Sequence, residues 1–158
     1  MEIKMNALKG LEIARKKILF RPDINSPIDP VTKKIVNDNR LKKNAVTLKY
    51  MLENGAAVAL IAHQGDTQDY QNLIPLMEHA QKLTALTGHP VHYIDDVCGP
   101  AAIEAVKKLP AGEAIILGNL RYLGEELSTF SNFVKLSPEE MQSVWHVRKL
   151  APLFDLYV

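Results

Sequence analysis

The stretch Ala56-Ala-Val-Ala-Leu-Ile-Ala62 holds no polar residue and no alternation. A strand with one face in water alternates apolar and polar side chains, because successive Cβ atoms point to opposite faces. A continuous apolar run is instead the mark of a strand covered on both faces, the usual situation in a parallel sheet. The run is far too short to cross a bilayer, which takes about 18 to 20 apolar residues. The fold must therefore place packed layers on both sides of this segment.

The rest of the chain supplies those layers. Lys17-Ile-Leu-Phe-Arg21 reads as a strand that stops at Pro22, which has no N–H to give a ladder. A proline-punctuated polar loop, Asp23 to Pro30, follows. Arg40 to Asn54 reads as a helix, since Leu41, Ala45, Leu48 and Leu52 fall on one face, and Gly55 ends it. A second helix spans Leu76 to Thr87, then a strand Val91 to Ile94, a helix Pro100 to Leu109 and a strand Ala114 to Leu117. Ser137-Pro-Glu-Glu140 is a capping box with proline at the first helical position, which predicts one helix from Ser137 to Leu150 or Ala151. Leu156 to Val158 begins another strand. The alternation predicts a single α/β domain over residues 1–158: a three-layer αβα sandwich around a parallel, Rossmann-like sheet of about five or six strands. Ending on the third residue of a buried-looking strand leads to the expectation that the chain is a piece of a longer one.

Composition narrows the function classes. Nineteen Lys and Arg against 18 Asp and Glu leave a formal charge of +1, too balanced for a general nucleic-acid coat. The basic cluster Lys33, Lys34, Arg40, Lys42 and Lys43 lacks interleaved aromatics and reads as a solvated face that biases a nearby cleft positive. No nucleic-acid or membrane partner is expected. Met1 to Lys17 lacks the apolar stretch of a secretory signal, and the single cysteine, Cys98, asks for no oxidising compartment, so a cytoplasmic protein is expected. Cys98 reads as a small buried hydrophobe and Trp145 as a packing anchor. His89 and His92 lie three apart near Asp95 and Asp96, but a short strand sends neighbours to alternate faces, so no metal site is expected there. Asp95-Asp96 reads as ordering the turn before Gly99 and capping the next helix.

Ligands of open parallel sheets bind beyond the carboxyl ends of the strands. Those ends carry Arg21, Asp23 and Asn25; His63-Gln-Gly-Asp66; Asp95 and Asp96; and Asn119 and Arg121. Arg40 opens the first long helix, whose N-terminus offers backbone donors. Together they make a candidate anion site, with Arg40 and Arg121 as guanidinium forks, Gly65 allowing close backbone approach, and His63 and Asn25 as hydrogen-bond partners. The same residues also fit plain solvated loop ends, which are polar in most α/β folds.

Five short motifs then occur in order: Asp23-Ile-Asn25 with Pro27, Asp29 and Pro30; Asn39-Arg40 opening a helix; Ala62-His-Gln-Gly65; Asp95-Asp96-Val-Cys-Gly-Pro100; and Asn119-Leu-Arg-Tyr122, closed by the block Val147 to Val158. From about Lys17 onward the chain resembles the N-terminal domain of phosphoglycerate kinase, of the archaeal type. The resemblance implies a two-domain kinase of glycolysis and gluconeogenesis. Its N-terminal half takes 3-phosphoglycerate or 1,3-bisphosphoglycerate, and its C-terminal half, absent here, takes Mg-ATP or Mg-ADP. No cofactor or metal is then expected on this chain, which alone would be inactive, and its own C-terminal domain would be a partner. The resemblance assigns Asp23 and Asn25 to the glycerate carboxylate and hydroxyl, His63 to the acceptor, Arg121 to its phosphate, and Arg40 to the transferring phosphoryl group as the catalytic cation; Gln64, Gly65 and Asp66 complete the substrate loop. Phosphoryl transfer is largely positioning plus charge stabilisation, so cationic forks suit it. There is no G-x-x-x-x-G-K-[ST] loop, which excludes a P-loop enzyme.

Three positions depart from the family pattern. Pro22 stands where valine is usual, and Gly118 where glutamate is usual. Asp66 replaces an arginine of the acceptor-phosphate site. At ~4 Å and an effective dielectric of about 20, a unit charge pair is worth about 4 kcal/mol, here with the sign reversed. The resemblance therefore also admits a divergent paralogue with an altered acceptor or a non-catalytic, phosphometabolite-binding role.

Overall fold

The computed structural model describes residues 7–65 and 70–158. Five strands, β1 (Lys17–Phe20), β2 (Ala57–Leu60), β3 (Val91–Tyr93), β4 (Ala114–Ile116) and β5 (Leu156–Tyr157), form one sheet in the order β3-β4-β2-β1-β5. Every pairing is parallel. The helices are α1 (Asn39–Glu53), α2 (Met77–Thr87), α3 (Pro100–Lys108), α4 (Ser128–Phe133), α5 (Pro138–Met141) and α6 (Trp145–Leu150).

The apolar run behaves as its composition demands. Ala56, Val58, Leu60 and Ala62 face one core with Leu41, Ala45, Leu48 and Leu52 of α1 and Ala80 and Leu83 of α2. Ala57, Ala59 and Ile61 face the other with Ala102 and Val106 of α3 and Leu150 of α6. This makes the three-layer sandwich. The division follows from handedness. The chain steps outward from β1 through β2 to β3, then returns through β4 to β5. Right-handed crossovers put the helices of the outward leg on one face and those of the return leg on the other. Adjacent strands β2 and β4 therefore send their following loops to opposite faces, and that divergence opens a crevice at the carboxyl rim.

The helix expected from Ser137 to Leu150 is two helices. The capping box forms as read: Ser137 Oγ accepts from Glu140 N at 3.2 Å, and Glu140 Oε2 accepts from Ser137 N at 2.8 Å. The chain then tightens through backbone bonds from Ser143 to Glu140 and from Val144 to Met141, and Val144 turns extended at ψ 146° to bury its side chain. A new helix starts at Trp145, whose N–H is capped by Glu125 Oε1 at 3.1 Å. Trp145 itself is half exposed (50%) and is no packing anchor; His146 and Leu150 carry that helix's burial. Cys98 is buried, and Asp96 caps α3 from outside, accepting from Gly99 N at 2.8 Å and Ala102 N at 3.0 Å. None of the helices among the described residues is long and apolar enough to cross a membrane.

Urea unfolding should separate the two kinds of position. Leu48→Ala removes a fully buried side chain and is expected to cost about 2–5 kcal/mol. Trp145→Ala should stay within about 1 kcal/mol of the parent; equal losses would mean that the α6 face is buried after all.

Candidate functional site: an anion clamp on the carboxyl rim

Beyond β1 the chain stays extended, and Pro22, Ile24 and Ser26 are buried while Asp23 is exposed and Asn25 half-buried. Asp23 and Asn25 therefore share the outward side. Arg40, in the first turn of α1, donates through Nη1 to both Asp23 oxygens at 2.6 Å each. Asn44, one turn later, donates from Nδ2 to the carbonyls of Asp23 and Arg40, both at 2.9 Å, which ties α1 to the end of β1. The Arg40–Asp23 pair is open to solvent, so its contribution to stability is about 1 kcal/mol or less. It leaves Nε and Nη2 of Arg40 outside that bond.

The loop after β2 is held by buried polar groups. Gln64 is turned inward, away from the rim: Oε1 accepts from Ser26 N at 2.9 Å and Nε2 donates to Ser26 O at 2.9 Å. His79 Nε2 lies 3.1 Å from the same Oε1 and donates to it; burial brings the His79 pKa down to about 4, so the ring is neutral. Gly65 N donates to Asn25 Oδ1 at 3.1 Å, which orients the Asn25 amide. At Gly65 φ is +92°, and a Cβ would lie 2.6 Å from the carbonyl oxygen of Asn72, so only glycine fits. Asp66 lies outside the described residues.

Asn119 binds the two sides of the crevice together. Its Oδ1 accepts from Gln64 N (3.2 Å) and Arg121 N (3.0 Å), and its Nδ2 donates to the carbonyls of Gln64 (2.8 Å) and Ile74 (2.9 Å). The preceding Gly118 is tightly covered by the loop after β3: a Cβ would meet Val97 Cγ2 at 3.1 Å and the backbone of Asp96 and Val97 at 3.2 Å, so a side chain there needs that loop to give way by a few tenths of an ångström.

Arg121 sits in a 3-10 turn, Leu120–Tyr122, and donates through Nη1 to the backbone carbonyl of Glu126. His63 is half-buried. Burial, then the charge of Arg121, hold its pKa below the ordinary histidine value, with Asp23 pulling the other way. At neutral pH His63 is a neutral imidazole among charged neighbours. Asp23, Asn25, Arg40, His63, Gly65 and Arg121 thus gather on one rim, and Gln64 supports it from behind. The arrangement presents cationic forks and neutral donors, the chemistry of an oxyanion clamp. An apolar concavity of about 380 Å³ lies elsewhere, between α6 and the β1–β5 edge.

Sequence reasoning missed the residues that fix this rim: Gln64 as an inward brace, His79, Asn44, and the trio Arg21, Glu126 and His146. Glu126 takes a two-pronged contact from Arg21 (3.1 and 2.6 Å) and lies 2.8 Å from His146 Nε2. No spacing rule links residues 21, 126 and 146; the link exists only once β1 and α6 meet across the sheet.

A sequence model of the phosphoglycerate kinase family matches residues 8–158. The chain belongs to the phosphoglycerate kinase family. The phosphoglycerate kinase of Sulfurisphaera tokodaii is 38% identical over 157 residues, and that of Sulfolobus acidocaldarius 36% over 157. Each alignment covers 99% of this chain and 36% of the relative. The crystal structure of phosphoglycerate kinase from Pyrococcus horikoshii OT3 superposes with a TM-score of 0.84 at 35% identity, covering 97% of this chain and 36% of that one. The chain therefore spans about a third of the length of the phosphoglycerate kinases it matches.

Glu126 makes a pH prediction. Burial works against its charge, but the hydrogen bonds from His146 and Arg21 outweigh it and bring the carboxyl down to about 2, against an ordinary 4.5. A depressed carboxyl contributes stability above its unfolded pKa and loses it as pH falls toward the folded one. Stability of the parent should fall between about pH 4.5 and 2, and Glu126→Gln should flatten that part of the curve. Identical acid limbs would show that Glu126 is not held this way.

Proposed function

We propose that this chain is the acceptor-binding half of a phosphoglycerate kinase, holding 3-phosphoglycerate or 1,3-bisphosphoglycerate on the rim at the β2–β4 crevice. The observation that carries the reading is the gathering of Arg40, His63 and Arg121 on one rim at the point where the sheet topology opens. On this reading Arg121 pairs the acceptor phosphate. Asn25 and His63 donate to glycerate oxygens, and Asp23 accepts from the hydroxyl. Arg40, anchored by one nitrogen to Asp23, offers the rest of its fork to the phosphoryl group in transit, where charge develops. Mg-ATP or Mg-ADP belongs to the part of the relatives' length that this chain does not span, and phosphoryl transfer follows only when the two are joined.

Asp66 supports a second reading, a relative with an altered acceptor, because an acid there repels the phosphate that the family's arginine attracts. Calorimetry distinguishes the two. The chain should bind 3-phosphoglycerate, and Arg121→Ala and Arg40→Ala should each weaken binding about tenfold or more, the usual loss of a charge-assisted hydrogen bond. Asp66→Arg should tighten it. A coupled kinase assay on the chain alone should give no turnover. Unchanged affinity in both alanine variants would remove the acceptor reading; no gain from Asp66→Arg would favour the altered acceptor.

A further inference from the structure

Among the described residues Arg121 meets no carboxylate; it is aimed by a carbonyl, that of Glu126. The two residues lie in successive 3-10 turns, Leu120–Tyr122 and Gly124–Glu126. No sheet ladder fixes that carbonyl, so its position depends on what holds Glu126. The Glu126 side chain is mostly buried (11% exposed) and gripped from two directions. Arg21 contributes both nitrogens of its fork, and its own backbone N–H is fixed to Val158 O at 2.9 Å at the end of the sheet. His146 Nε2, buried on α6, lies 2.8 Å from Oε1. The neighbouring Glu125 docks on the same helix, accepting from Trp145 N at 3.1 Å, with its second oxygen 3.7 Å from His146 Nδ1. Two consecutive carboxylates thus pin this segment to α6. A buried pair resists separation, because removing one partner leaves the other charge uncompensated.

We infer that Glu126 and His146 are positioning residues for Arg121: the carboxylate, clamped between Arg21 and His146, fixes the backbone carbonyl that aims the Arg121 guanidinium into the crevice. Outer contacts of this kind set the orientation of the group that meets the ligand. The carbonyl contact has a further consequence. A carbonyl, unlike a carboxylate, orients the guanidinium without neutralising it. Arg21, by contrast, is bound to a carboxylate and serves as scaffold. The ligand arm of the following test rests on the acceptor-binding reading; the spectroscopic arm does not.

The test records arginine side-chain nitrogen spectra of the labelled, ligand-free chain, with Arg121 assigned by its loss in Arg121→Lys. Arg121 should show slowed rotation of its terminal nitrogens. In His146→Ala that hindrance should relax, and affinity for 3-phosphoglycerate should fall about 3- to 10-fold. Both should return in His146→Gln, whose amide can again donate to Glu126. Should His146→Ala fail to fold, Glu126→Gln decides by the same Arg121 signals, which should broaden or shift. Arg121 signals identical to the parent in every variant would overturn the inference, as would an affinity loss that glutamine does not rescue. Parent chain that binds no 3-phosphoglycerate would overturn the acceptor reading, while the Arg121 signals still decide the positioning claim.

Discussion

Asn119 makes four hydrogen bonds in a place fully closed to solvent, and the shape of the rim depends on them. The loops after β2 and β4 leave the sheet toward opposite faces, and past the strands one backbone bond, Leu120 N to Ala62 O at 2.9 Å, still joins them. The Asn119 carboxamide extends that tie, donating to the β2 loop and to Ile74 while accepting from the β2 loop and from the turn that carries Arg121. Each of those backbone groups would cost about 1–3 kcal/mol if buried unpaired, so the loops have one low-energy arrangement. Gln64 and His79 repeat the device on the β1 side, and Gly65 passes it to Asn25. The clamp is thus rigid from behind while its front is open.

Charge is distributed on that front in an orderly way. Arg21 meets Glu126, Arg40 meets Asp23, and Arg121 meets a carbonyl. In the first pair the carboxylate is mostly buried and the bond is structural. The second is exposed and weak, which lets an incoming anion compete for the guanidinium. Arg121 is oriented by a neutral group. His63 sits in this field held neutral by burial and by Arg121, so it can donate a hydrogen bond to an anion without adding a charge that would have to be desolvated. Three arginines at the carboxyl rim therefore do three different things, and only their partners distinguish them.

Much of this was written in the sequence in a readable form. The unbroken run Ala56 to Ala62 demanded two covering layers, and the helix periods of Leu41, Ala45, Leu48 and Leu52 supplied one of them. The rim residues were legible because they follow strand ends, and because their order matches a known family. What was not legible has a common cause: it is made by pairs distant in the chain. The break between α5 and α6 has no glycine or proline to mark it; it exists because Val144 turns into the interior and Glu125, twenty residues earlier, caps the new helix. Gln64 looks like a rim residue from its neighbours, yet Ser26 and His79 draw it inside. The tie from Arg21 to Glu126 to His146 needs β1, a 3-10 turn and α6 to be brought together first. Trp145 was misplaced for the related reason that an aromatic on a helix is buried only if the helix offers that face to a neighbour.

The central claim is that the guanidinium groups of Arg40 and Arg121 act on one bound anion across the β2–β4 crevice. A crystal structure of the chain grown with 3-phosphoglycerate tests it most directly. The account predicts the phosphate against Arg121 and the glycerate oxygens against Asn25 and His63, with Arg40 over the carboxyl end that accepts phosphoryl. Density for the ligand in the apolar concavity beside α6, or touching one arginine and not the other's side of the crevice, would contradict it.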